Sequence, residues 1–188
     1  KLAADVAIIQ QGKTIAFGAP LVENVLRAGA GKKREFGRKP KAIILAPTRE
    51  LVAQIRADAE ILGRHTGLAT LAVFGGMDYR LQREQVKTIP DLLVGTPGRL
   101  LDYEQQGVVT FKDVEILVID EADRMFDMGF LPSVRRILKY LPTRRQTMLF
   151  SATFPAEIEQ LASQTLDHPQ RVAVGIDAIN SRARRIAR

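Results

Sequence analysis

Short, continuously apolar runs rich in β-branched residues alternate along the chain with longer segments whose apolar residues recur every three or four positions. The short runs fall at residues 5–9, 42–46, 68–74, 91–94, 115–119, 146–150 and 171–174. Most are too apolar to keep one face in water, which predicts strands covered on both faces, as in a parallel sheet under helices. The intervening helices are expected over 14–28 (apolar at Phe17, Leu21, Val25, Leu26), 50–63 (Leu51, Ile55, Ala59, Leu62), 134–141 and 156–166, with Gly63 as a C-cap. This alternation predicts an α/β fold: a doubly wound, mainly parallel sheet with helices on both faces. Crossovers should be right-handed, and ligands should sit at the C-terminal ends of the strands.

Composition narrows the picture. A length of 188 residues fits one domain with its own core. The division expected is a domain over 1–179 and a basic tail or interdomain linker over 180–188, which carries four Arg and no acid. The net charge of +7 suits a polyanionic partner, although basic surfaces also simply keep proteins in solution. With no cysteine, disulfides and thiolate metal sites are excluded; this fits a reducing compartment, and a cytoplasmic location is expected. No run approaches the ~18 apolar residues of a membrane span, and the first nine residues are too short and too acidic for a signal peptide. No Trp and 6% aromatic residues argue against an aromatic base-stacking platform. Segment 27–41 holds seven Lys or Arg and three Gly and reads as an exposed basic loop, more often solvated surface than a contact to a polyanion. His65 and His168 have no second ligand at metal spacing.

Two constellations carry chemistry. Gly12-Lys13-Thr14 follows an apolar strand and opens an amphipathic helix, the context of a phosphate-binding turn. Backbone N–H groups at a helix N-terminus bind phosphate oxygens, Lys13 would reach the β- and γ-phosphates, and Thr14 would place its hydroxyl on Mg²⁺. The six residues before Lys13 are Ala7, Ile8, Ile9, Gln10, Gln11 and Gly12, so only one glycine serves a loop that ordinarily uses more. The second constellation is Asp120-Glu121-Ala122-Asp123, directly after the strand at 115–119. Carboxylates at a strand end, beside the phosphate turn, suit nucleotide hydrolysis, with Asp120 holding Mg²⁺ and Glu121 orienting or deprotonating water. The bland alternative is a helix start whose acids favour the macrodipole.

In order along the chain, Gly12-Lys13-Thr14, Pro47-Thr48-Arg49-Glu50-Leu51, Gly75-Gly76, Thr96-Pro97-Gly98-Arg99, Asp120-Glu121-Ala122-Asp123 and Ser151-Ala152-Thr153 resemble the motifs of DEAD-box ATP-dependent RNA helicases, and the run 120–130 has a bacterial flavour. The resemblance spans nearly the whole chain and implies a RecA-like domain. It implies that Gly12, Lys13 and Thr14 bind ATP, and that Thr14 and Asp120 hold Mg²⁺. Asp120 and Glu121 would be the catalytic acids. Asp123, Ser151 and Thr153 would couple nucleotide state to unwinding, with Asp123 the hydrogen-bond partner of the other two. Pro47, Thr48, Arg49, Gly75, Gly76, Thr96, Gly98 and Arg99 would line an RNA backbone groove. Contacts to phosphate and sugar carry no sequence information, so RNA choice should be loose. Singly, each motif has a plain reading: Thr96-Pro97-Gly98 as a turn and N-cap, Gly75-Gly76 as a strand terminator, Arg49 and Glu50 as a solvated helix start. Met125, Phe126, Met128 and Phe130 read as packing.

The chain departs from the family's pattern at its start. The adenine-reading segment expected upstream is not in this sequence, and the phosphate turn counts about three residues short. A true deletion predicts weak nucleotide binding; a turn whose further residues are missing from this sequence predicts a normal one. A second RecA-like domain, which in this family supplies an arginine finger, is likewise not in this sequence; without it little ATPase and no unwinding are expected. The alternative expectation is a nucleotide-defective module that binds RNA or a protein partner. A third, a strand-GKT-helix translocase on DNA, is opposed by the DEAD quartet and Ser151-Ala152-Thr153.

Overall fold

A seven-stranded sheet, parallel at every pairing, forms the centre of the computed structural model, which describes residues 6–9, 23, 40–76, 78–87 and 90–173. The strands are β1 (Val6–Ile9), β2 (Ala42–Leu45), β3 (Thr70–Val73), β4 (Leu92–Gly95), β5 (Ile116–Ile119), β6 (Gln146–Phe150) and β7 (Gln170–Ala173). Each lies within a residue or two of its sequence-based expectation. Their spatial order is β3-β4-β2-β5-β6-β1-β7. The described helices are α1 (Arg49–Leu62), α2 (Tyr79–Lys87), α3 (Pro97–Gln105), α4 (Ala122–Asp127), α5 (Leu131–Leu138) and α6 (Ala156–Thr165). The turn at Gly12, Lys13 and Thr14, nearly all of the helix expected over 14–28, most of the basic segment 27–41 and the tail 180–188 lie outside the described residues.

Strand side chains alternate between two apolar layers because successive residues of a strand point to opposite faces. Ala42, Ile44, Ala46, Leu92, Val94, Ile116, Val118 and Phe150 pack with Val52, Ile55 and Ala59 of α1 on one face. Ile43, Leu45, Leu93, Leu117, Ile119 and Leu149 pack on the other with Leu100 and Tyr103 of α3, Val134 and Ile137 of α5 and Ile158 and Leu161 of α6. The central strands β2, β4 and β5 are therefore buried on both sides, as their unbroken apolar runs require.

The helix boundaries follow from capping. Thr48 is the N-cap of α1, its hydroxyl accepting the Leu51 N–H at 3.3 Å. Gly63 closes α1 as foreseen, with a φ of −87° and not in the left-handed form. Helix α5 begins three residues before its expected start, because Pro132 sits in the first turn, where its missing N–H costs nothing. Helices α2, α3 and α4 are not among those expected from periodicity, although α3 and α4 begin where an N-cap at Thr96 and a helix start at the acids are the plain readings of the sequence. Asp78 starts α2, its Oδ1 accepting the N–H groups of Arg80 (2.8 Å) and Leu81 (3.2 Å).

Candidate nucleotide and nucleic-acid face

All the described motif residues stand at the C-terminal ends of five adjacent strands. Gly75 and Gly76 follow β3, Thr96 to Arg99 follow β4, Pro47 to Arg49 follow β2, Asp120 to Asp123 follow β5, and Ser151 to Thr153 follow β6. The sequence reading set the acids beside the phosphate turn; in the sheet, β6 stands between β5 and β1, the strand that leads to that turn. One strand thus separates β5 from β1, a consequence of crossover order that strand patterning does not encode.

Asp120 is 2% exposed, and its Oδ1 accepts the N–H of Glu121 at 2.9 Å. Glu121 has φ 54° and ψ 53°, the left-handed region, where a residue with a Cβ is held at a cost of about 1–3 kcal/mol. Its carboxylate does not cap α4. Oε2 is buried, has no hydrogen bond and lies 3.5 Å from Arg124 Nη1. A residue held in the left-handed region, with a buried carboxylate oxygen that makes no hydrogen bond within the protein, has the chemistry to hold a water or a cation.

Asp123 closes a clasp between the ends of β5 and β6. Its Oδ2 accepts the Thr153 N–H at 2.9 Å and the Thr153 hydroxyl at 3.0 Å, and its own N–H donates to Ser151 Oγ at 3.0 Å. The Ser151 hydroxyl donates to the Thr153 carbonyl at 2.7 Å. Burial works to raise the Asp123 carboxyl, but the Thr153 N–H and hydroxyl and the Arg124 N–H outweigh it and hold the group below its ordinary 3.8. A lowered carboxyl stabilises the fold above its unfolded value, and that stability is lost as pH falls through the folded one. Asp123→Ala should therefore destabilise the domain by about 1 kcal/mol at neutral pH, allowing for partial exposure. The difference should shrink as the pH falls below the carboxyl's ordinary 3.8. Urea denaturation of both proteins at the two pH values checks this; an equal difference at both would show that the charge is irrelevant.

The ends of β2, β3 and β4 surround an open groove of about 400 Å³ lined by Pro47, Thr48, Arg49, Glu50, Gly75, Thr96, Met128 and Phe130. It brings together five of the residues assigned to RNA. Of the other three, Gly76 lies against Arg49, Gly98 is exposed, and Arg99 turns toward Tyr103, its guanidinium carbon 5.5 Å from the ring centre. The N-termini of α1 and α3 both open here, with Thr96 at the N-cap of α3 making no capping bond through its side chain. Backbone N–H groups at such ends favour anions. Gly76 has φ +85°, and a Cβ on it would stand 2.3 Å from Arg49 Nη1. Only glycine lets that guanidinium lie on the turn.

Packing accounts for Met125, which is fully buried, but not for all four apolar residues after the acids: Met128 is 46% exposed and, with Phe130, forms a wall of the groove. The signal for this is Gly129, whose φ of +72° turns the chain between them. Among the described residues no helix is long and apolar enough to cross a membrane, and no cluster of three or more His, Asp or Glu could by itself hold a metal ion.

A family model described as DEAD/DEAH box helicase matches residues 10–161. The chain is 47% identical over 166 residues to an ATP-dependent RNA helicase RhlB of Pseudomonas aeruginosa, covering 87% of this chain and 42% of that protein. It is 43% identical to the protein of the same name from Shewanella denitrificans, covering 87% and 38%. Among solved structures, a DEAD box protein from Methanococcus jannaschii superposes with a TM-score of 0.83 at 33% identity, over 94% of this chain and 47% of that one. The chain thus spans about two fifths of the length of the curated relatives it matches.

Proposed function

The chain belongs to the DEAD/DEAH box helicase family, and from that premise we propose that it is the ATP-binding RecA-like domain of an RNA helicase. In the whole protein, ATP binding and hydrolysis would drive local opening of RNA duplexes, after closure against a second RecA-like domain. The observation that carries this reading is the gathering of two acids, a hydrogen-bonded clasp and an anion-favouring groove at the ends of adjacent strands.

Each residue then has a task. Gly12, Lys13 and Thr14, which follow β1 in the sequence, would cradle the phosphates. Mg²⁺, which would neutralise phosphate charge, suits the buried Asp120 carboxylate with Thr14 as a second ligand. Glu121 orients the attacking water and accepts its proton; the unsatisfied Oε2 supports this assignment. Asp123, Ser151 and Thr153 tie the acid-bearing segment to the end of β6, so a shift at one is felt at the other. Pro47, Thr48, Arg49, Gly75, Gly76, Thr96, Gly98 and Arg99 hold the RNA through phosphate and sugar, with little sequence preference. Such work on RNA belongs in the cytoplasm, and further protein partners are compatible with it.

Titration of this chain with a fluorescent ADP analogue and Mg²⁺ tests the nucleotide half. Binding by the wild type that Lys13→Ala abolishes is the expected result. Absence of binding in both would overturn it and leave a module that engages RNA or protein without nucleotide.

A further inference from the structure

We infer that Gln82 is a positioning residue that locks the Gly75–Gly76 turn to Arg99, so that the groove meets RNA as one rigid surface. The inference rests on the RNA-binding reading above and assigns a role to a residue that touches no RNA itself.

Gln82 lies on α2 and is fully buried, although an amide hidden from water is costly unless it is hydrogen-bonded. Both ends of its amide are used. Nε2 donates to the carbonyl of Phe74 at 3.0 Å, and Oε1 accepts the hydroxyl of Tyr103 at 3.3 Å. The reversed amide would set oxygen against oxygen at Phe74, so the two bonds fix its orientation. Tyr103, itself fully buried on α3, accepts in turn from Arg99 Nη1 at 3.4 Å and carries the guanidinium over its ring.

The chain of contacts therefore runs from the last residue before the double glycine, through α2 and α3, to the arginine after β4. Arg49 extends it on the other side, because its guanidinium lies on Gly76. Phosphate donors on three strand ends are linked by one buried amide. Spacing along a nucleic-acid backbone is fixed, so donors held at fixed separation bind without a further ordering cost. Filling space does not require an amide here: an apolar residue of similar size at position 82 would occupy the same volume, but it would take these bonds from the Phe74 carbonyl and the Tyr103 hydroxyl.

The test measures binding of a fluorescent single-stranded oligo(U) RNA to this chain at several salt concentrations. Gln82→Met, Tyr103→Phe, Arg99→Ala and the Gln82→Met/Arg99→Ala pair are compared with the wild type. Each single variant should weaken binding by about 2- to 10-fold. Each should also flatten the salt dependence by ~0.7, the loss of one phosphate contact. The double variant should be little weaker than Arg99→Ala, because Gln82 acts through that residue. Tyr103→Phe removes one hydroxyl and keeps the ring, so it serves even where Gln82→Met folds poorly. Wild-type affinity and salt slope in Gln82→Met and Tyr103→Phe, beside a loss in Arg99→Ala, would overturn the inference and leave the groove reading intact. A wild type that binds no RNA would instead remove the reading on which the inference stands, and the inference with it.

Discussion

Glu121→Gln, made in a protein that joins this domain to a second RecA-like domain, should lower RNA-stimulated ATP hydrolysis by about 10²–10⁴-fold, the usual worth of a positioned general base. Nucleotide binding should persist, because the substitution changes charge and not shape. The structure adds a sharper form. Glu121 sits at φ 54°, and its Oε2 is buried without a hydrogen bond. Both features cost stability. Glu121→Gly should therefore leave Tm unchanged or raise it, since glycine adopts the left-handed region freely, while hydrolysis falls at least as far as in Glu121→Gln. A coupled ATPase assay and thermal denaturation of the same two variants decide the matter. A large fall in Tm for Glu121→Gly would mean that the side chain is there for the fold. Unchanged hydrolysis in Glu121→Gln would remove the acid from the mechanism.

The strands were legible in the sequence for a physical reason: a strand buried on both faces must be apolar throughout, and β2, β4 and β5 are. Helices α1 and α6 were legible because one face of each meets the core and the rest meets water. The helices that were not expected do not mark their buried face with a run of apolar residues. Helix α2 contributes Val86 to the core while Leu81 is 65% exposed, so no apolar stripe marks it. Helix α3 opens on Pro97-Gly98, residues that also make turns, and α4 is six residues long, too short for periodicity.

The site divides along the same line. Motif residues announce themselves where an apolar run stops and polar or glycine residues begin, which is where a strand end meets solvent. Their neighbourhood does not. That β6 intervenes between β5 and β1 depends on crossovers, and that Met128 and Phe130 wall the groove depends on how α4 leads into α5. Gln82 is the clearest case. In a helix as polar as α2, one more glutamine looks like solvated surface, and only packing reveals that it is fully buried between two segments of the groove.

That dependence of the site on close packing shows at Gly95, the described glycine whose added Cβ would meet backbone most closely. It is the last residue of β4, one before Thr96 and the N-terminus of α3. A Cβ there would stand 2.7 Å from the Val73 carbonyl oxygen and 2.8 Å from both Val73 Cγ2 and Leu100 Cγ. The first of these is backbone of the neighbouring strand, which also accepts the Thr96 N–H at 3.2 Å. Relief must come from moving β3 away from β4 or lifting α3 from the sheet. Gly95→Ala should thus destabilise the domain by about 1–3 kcal/mol, the typical cost of overpacking. It should weaken RNA binding as well, because both movements separate the Gly75–Gly76 turn from Thr96 and Arg99. Gly98→Ala is the control: a Cβ at that position meets nothing within 4 Å. It should leave stability nearly unchanged and disturb RNA only where the new methyl meets the backbone of the bound strand. Urea denaturation and oligo(U) titration of both variants separate the two effects. Equal stability of Gly95→Ala and Gly98→Ala would mean that the β3–β4 junction yields easily, and that the groove is not the rigid surface its packing describes.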